Sequence, residues 1–169
     1  MDWLQFGVQW LHVFLGIFWF GAVLYADFIL IPAINTLPLG KQREFGSAVG
    51  ARAARIIPAI AAGVILLGIV RGTLFGPVKS LDFLLTTAYG LTWLVALVAA
   101  VSTFTWAKLQ IEPAIARLVN VPDAEALTPD GQPTPKLEAI VADVKRKTLL
   151  ELVGFFVIFT CMILMRFGY

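Results

Sequence analysis

The chain has 169 residues, of which 59% are hydrophobic and 14% charged, with a formal net charge of +2; its mean hydropathy is +0.85. Ordinary soluble domains carry about 25% charged residues, so this composition excludes a soluble globular fold and points to the lipid bilayer as solvent. One cysteine, Cys161, leaves no intrachain disulfide and no CxxC site, and the length suits one domain, residues 1–169.

Four stretches reach the roughly 20 predominantly apolar residues that a membrane-spanning helix needs. Helices are expected because backbone polar groups in lipid must be satisfied within their own segment. The first stretch covers about 3–31. The start, Met1-Asp2-Trp3, lacks a positive n-region and the apolar run is too long for an h-region, so no cleaved signal peptide is expected. This stretch holds the only histidine, His12, after Trp10-Leu11 and before Gly16 and Trp19-Phe20-Gly21. An imidazole in hydrocarbon is costly, which makes His12 the leading functional candidate. Asp27 lies near the far end of the same stretch, and the loop beyond carries Lys41, Arg43, Arg52 and Arg55.

The second span covers about 56–75 and contains Gly68-x-x-x-Gly72, a pattern that permits close helix contact but is common by chance. Arg71 falls at its end. The third span, about 83–107, opens with Thr86, Tyr89 and Trp93. Beyond it, Ile111, Ile115 and Leu118 recur at helical spacing, as do Leu137, Ile140 or Val141, and Val144. Spans three and four are therefore expected to continue as an antiparallel helical hairpin outside the membrane. Its tip runs over 122–135, with Asp130-Gly131 as a turn signal and Thr134-Pro135 as N-cap and first helical position. The fourth span, about 149–167, has Glu151 just inside its start and carries Cys161, Met162 and Met165 before Arg166. Trp3, Trp10, Trp106 and Tyr169 lie near span ends, where aromatic belts form.

Charge sets the expected orientation. Lys41, Arg43, Arg52 and Arg55 occupy the first loop, and Lys108, Arg117, Lys136, Lys145, Arg146 and Lys147 the third. Only Arg71, Lys79 and Arg166 fall on the other side. The positive-inside rule puts both long loops in the cytoplasm and both termini outside. The expected fold is an all-α integral membrane four-helix bundle, with a cytoplasmic helical hairpin extending helices three and four.

A single histidine rules out a His-rich zinc site and a bis-histidine haem within one chain. There is no Walker loop and no GxSxG elbow. The loops lack basic-aromatic interleaving, so nucleic acid is not an expected partner. In the expected topology His12, Arg71, Tyr89, Cys161, Met162 and Met165 share one outer layer, together with Thr86 and Trp93. Imidazole and thioether are axial haem ligands, and a guanidinium neutralises a propionate. Thioether, thiol and imidazole also suit Cu(I). Each residue has a plainer reading: Met and Cys as apolar fillers, Arg71 and Arg166 snorkelling to the interface, Tyr89 packed with a satisfied hydroxyl, and His12 making an interhelical hydrogen bond. A second layer comprises Asp27, Arg52, Arg55 and Glu151. The expectation there is register-fixing salt bridges, Asp27 with Arg52 or Arg55 and Glu151 with an Arg or Lys. The alternative is a proton or ion path, which needs Glu151 to face the bundle interior.

Gln9-Trp10-Leu11-His12, Phe18-Trp19-Phe20-Gly21 and Tyr25 together resemble the opening helix of the copper-resistance-D-like membrane proteins, with its Leu-His pair and later Trp-x-Gly. Similar openings occur in the membrane domain fused to some bacterial urate oxidases and in the haem-binding bacterial membrane protoporphyrinogen oxidase family. The resemblance is confined to the first span. It implies that His12 takes the place of the family's first-helix histidine, a haem or copper ligand, in a bacterial cytoplasmic (inner) membrane. The haem-binding relatives carry further histidines in other spans and this chain has none. Three ligations remain: His12 with Met162 or Met165, His12 with an open position, or His12 from two protomers sharing one cofactor.

The expected function is a small haem-binding membrane protein active in electron transfer or haem-linked redox chemistry. Haem b would be held by His12 and Met162, with Arg71 on a propionate and Tyr89 and Trp19 beside the cofactor. One alternative is a copper-binding or copper-transport protein that uses His12, Cys161 and Met162, although only two methionines besides Met1 are present. Another is a non-catalytic accessory subunit, in a homo-oligomer or a larger membrane complex.

Overall fold

The computed structural model describes residues 2–169. Asp2 caps the first helix, α1 (Trp3–Tyr25), by accepting from the amides of Leu4 at 3.0 Å and Gln5 at 3.3 Å. The helix does not stop at the end of the expected span. It widens into a π-helical segment, Ala26–Leu30, and continues as α2 (Ile31–Ile34). The same device recurs after α5 (Ala88–Trp106), where a π-helical segment, Ala107–Ile111, leads into α6 (Glu112–Asn120). In both places a proline, Pro32 or Pro113, follows the wide segment by two residues. Proline cannot donate to the preceding turn and its ring presses on that turn's carbonyl, so a wider turn carries the helix past it.

Helix α3 (Leu39–Thr73) has 35 residues, about 52 Å at the usual rise. It therefore begins well before the span expected from hydropathy and outreaches the roughly 30 Å hydrocarbon layer. Lys79 closes its C-terminus by donating to the carbonyls of Thr73 and Leu74 at 2.6 and 2.7 Å. The expected third span is broken near its start. A short helix, α4 (Leu81–Thr86), ends at Thr87, which is extended and caps α5 through Gly90. A Cβ at Gly90 would stand 2.4 Å from the carbonyl oxygen of Phe83, so only glycine lets α5 fold back this closely on α4. The chain then forms α7 (Asp123–Ala126) and the 32-residue α8 (Pro135–Arg166).

Four helical stretches are long and apolar enough to cross a membrane: Trp3–Ile34, Leu39–Thr73, Ala88–Asn120 and Pro135–Arg166. They form an all-helical bundle. The only strand-like pairing among the described residues is an isolated bridge between Leu127 and Pro133. α1 packs chiefly on α3, and α5 on α8, with α3 against α5 joining the pairs. Small residues set these contacts. Ala96, Ala100 and Thr103 are buried on α5, and Thr103 projects to within 2.1 Å of where a Cβ on Gly154 of α8 would stand. Close backbone approach through small residues is the usual way helices associate in lipid, where burial of apolar area offers little drive.

The central core joins Trp19, Ala61, Val64 and Phe155, with Phe20, Val23, Ile57, Ile60 and Phe104 against them. Phe155 meets Trp19 edge-on at 4.8 Å and stacks on Phe20 at 5.2 Å. A smaller cluster of Val121, Ala126 and Leu137, backed by Leu39, Leu118, Ile140 and Val141, ties α3, α6, α7 and α8 together at the long-loop end. α6 runs against α8 there. Ala114 takes the buried position on α6, whereas Ile115 is exposed. Much apolar surface stays exposed, including Trp3, Phe6, Trp10, Phe14 and Ile17 on α1 and Leu149, Phe156 and Phe159 on α8. That is the surface a helix offers to lipid.

Candidate functional site

His12 points into the α1–α3 interface. Its Nδ1 lies 3.0 Å from the carbonyl oxygen of Val64. A carbonyl only accepts, so Nδ1 carries the proton in this bond. In the neutral ring Nε2 then keeps its lone pair, the arrangement usual for metal-binding histidines. The ring rests against Gly68, where a Cβ would come within 3.1 Å of Cε1.

One helical turn before His12, Gln9 accepts from Arg71 Nε at 2.7 Å through Oε1. Arg71 also lies within electrostatic reach of the His12 ring. Gly72 of α3 receives the indole of Trp93 from α5; a Cβ there would stand 2.1 Å from Nε1. The Gly68-x-x-x-Gly72 pattern thus seats two large side chains from two different helices. The resulting layer comprises Gln9, His12, Gly68, Arg71, Gly72 and Trp93.

Sequence reasoning passed over Gln9 and gave Gly68 and Gly72 little weight. The available signal was Gln9 standing three residues before His12, on the same face of an otherwise apolar helix.

The other expected site residues are placed as follows. Trp19 is 3% exposed and belongs to the central core beside Val64. Tyr89 is half-buried in the first turn of α5, with its ring 6.4 Å from that of Phe83. Cys161 is a free thiol on α8, 6% exposed. Met165, one turn on, is half-buried on the same side, while Met162 is 38% exposed. No hydrogen bond or ion pair joins α8 to the His12 layer among the described residues. Nor do three or more His, Cys, Asp or Glu side chains converge there.

The second polar layer differs from the salt-bridge expectation. Asp27 sits in the first π-helical segment, and its Oδ2 is buried without a hydrogen-bond partner. Arg52 and Arg55 are exposed on α3 and make no ion pair with it. Glu151 is buried at 7% exposure and also has no cation partner among the described residues. The helix faces explain this: α3 directs both arginines outward.

Comparison with known proteins finds no matching protein family, no similar curated protein and no similar solved structure.

Proposed function

We propose that this chain is an integral membrane protein that binds haem b through His12 Nε2 and serves electron transfer or haem-linked redox chemistry. The observation that carries this reading is the bond from His12 Nδ1 to the Val64 carbonyl. It holds the ring in one orientation and one tautomer, so that Nε2 is the nitrogen left for iron. Gly68 lets α3 come close against the ring, since a Cβ there would stand 3.1 Å from Cε1. Arg71 is the carboxylate partner. Its Nε is held by Gln9, while the terminal nitrogens of the guanidinium remain to pair with a propionate. Bound haem supplies one-electron chemistry; the chain supplies ligand, charge and a dry helix interface. A second protein ligand would come from Met165, which is half-buried one turn from Cys161 on α8, or from a second protomer's His12, or that position would stay open.

The same reading places the protein in a bacterial cytoplasmic membrane with both termini outside. The supporting observation is that the long-loop end, tied together by Leu137 and its neighbours, also carries most of the Lys and Arg. The α6–α8 pairing is then the cytoplasmic extension of helices three and four.

The test is an ultraviolet-visible spectrum of the detergent-purified protein, oxidised and dithionite-reduced, for the wild type and His12→Ala. A Soret band that shifts on reduction and is lost in the variant is expected. A wild type with no Soret band after haem reconstitution refutes the reading. Metal analysis of the same sample then decides between copper and a purely structural histidine.

A further inference from the structure

We propose that Asp27 and Glu151 form a proton-binding site inside the bundle, one layer beyond the apolar core and distinct from the His12 layer. The proposal stands whether or not His12 holds haem.

Contacts between neighbouring helices fix the register. Leu15 and His12 of α1 meet Gly63 and Gly68 of α3, so chain numbers fall on one helix as they rise on the other. Gly72 meets Trp93, while Ile57 and Phe104 share the core, which makes α3 and α5 antiparallel. Thr103 meets Gly154 and Trp106 Nε1 donates to the Lys147 carbonyl at 3.1 Å, which makes α5 and α8 antiparallel. α1 and α8 are therefore antiparallel as well. Val23 and Phe155 belong to the same core cluster. Asp27 lies four residues after Val23 and Glu151 four residues before Phe155. One helical turn in each case brings the two carboxyls into the same next layer. Their charges lie within electrostatic reach of each other.

Among the described residues neither carboxyl has a cation partner. Lys147 of α8 is bound to Asp143 at 2.6 Å, and Lys108 of the second π-helical segment to Glu112 at 2.6 Å. Arg52 and Arg55 of α3 are exposed, and Tyr25 of α1 is exposed as well. The nearby Trp106 indole N–H is used by the Lys147 carbonyl. Glu151 is 7% exposed, and Asp27 Oδ2 is buried without a partner.

Two ionised carboxylates in one layer of a low-dielectric bundle with no counter-ion are strongly disfavoured. One proton removes the conflict. It comes from water at the long-loop end and forms an O–H on one carboxyl, so that the layer carries one negative charge instead of two. Asp27 is half-buried and Glu151 buried, so Asp27 is the side from which the proton enters and leaves. Such a pair is a proton-transfer station, the usual reason for carboxyls inside a membrane bundle.

The test is infrared difference spectroscopy of the full-length protein in nanodiscs at neutral pH, where exposed carboxyls are ionised. The wild type is expected to show the C=O band of a protonated carboxyl. Glu151→Gln should abolish it, and Asp27→Asn should shift or diminish it, with helicity unchanged by circular dichroism. Both substitutions are near-isosteric. Absence of the band in the wild type overturns the proposal. So does a band that survives both substitutions, or one that sodium or potassium ions replace in proportion to their concentration, which marks a metal-cation site instead.

Discussion

Replacing Gly72 by alanine tests the packing that frames the His12 layer. The added Cβ would lie 2.1 Å from Trp93 Nε1 and 2.6 Å from Cε2, whereas comfortable contact begins at about 3.5 Å. The indole must therefore withdraw by more than about 1 Å, and a rigid bicyclic ring wedged between α3 and α5 has no short rotation that achieves this. Overpacking of this kind costs about 1–3 kcal/mol. Against it stands the gain of up to about 1 kcal/mol from replacing glycine by alanine within a helix. The net expectation is a loss of about 1–2 kcal/mol, because the clash exceeds the propensity gain. Gly16→Ala is the control. Its Cβ meets nothing within 4 Å, so only the propensity gain applies and stability should hold or rise. Denaturant unfolding in mixed micelles, followed by far-ultraviolet circular dichroism and by tryptophan fluorescence, measures both. Equal stability of Gly72→Ala and Gly16→Ala would refute the close α3–α5 approach through Trp93.

Four further outcomes are expected. His12→Leu should lower stability by less than about 1 kcal/mol, the scale of an interhelical hydrogen bond in lipid, yet abolish the Soret band; retention of the band would remove His12 as ligand. Gln9→Ala and Arg71→Ala should be non-additive in a double-mutant cycle, with a coupling of about 0.5–1.5 kcal/mol, since each leaves the other's polar atom unpaired, and strict additivity would contradict the 2.7 Å bond. Phe155→Ala should cost about 3 kcal/mol and loosen α1 from α8, because this ring is the common neighbour of Trp19 and Phe20; a change in melting temperature within error would count against the central core. In a Cys161→Ala background, cysteines at Ser47 and Pro129 should react with a membrane-impermeant maleimide only after the cytoplasmic face is opened, and one at Ser80 from outside; the reverse pattern would invert the proposed orientation.

The all-helical build, the four helices long and apolar enough to span a bilayer, and the presence of one histidine within the first of them were legible in the chain itself. They depend on local quantities: runs of apolar residues matched to hydrocarbon thickness, and one ionisable ring within such a run. Helix ends were less legible. Hydropathy marks where the apolar run stops, whereas α3 continues into polar sequence, and the segments before Pro32 and Pro113 widen instead of breaking. The facing of each helix was not legible at all. Spans such as α1 are apolar around most of their circumference, so no stripe marks the inward side, and the rotation of each helix is decided by which small residue admits which large neighbour. Gly68 admitting His12, Gly72 admitting Trp93 and Gly154 admitting Thr103 are choices made between helices far apart in the chain. The same packing turned Arg52 and Arg55 outward and buried Glu151 and the Asp27 Oδ2 atom. Sequence by itself determined that polar groups would stand in the membrane. Only the tertiary structure decided which of them meet, because in lipid the partner of a polar group is set by helix rotation and close contact, not by the hydropathy of its own segment.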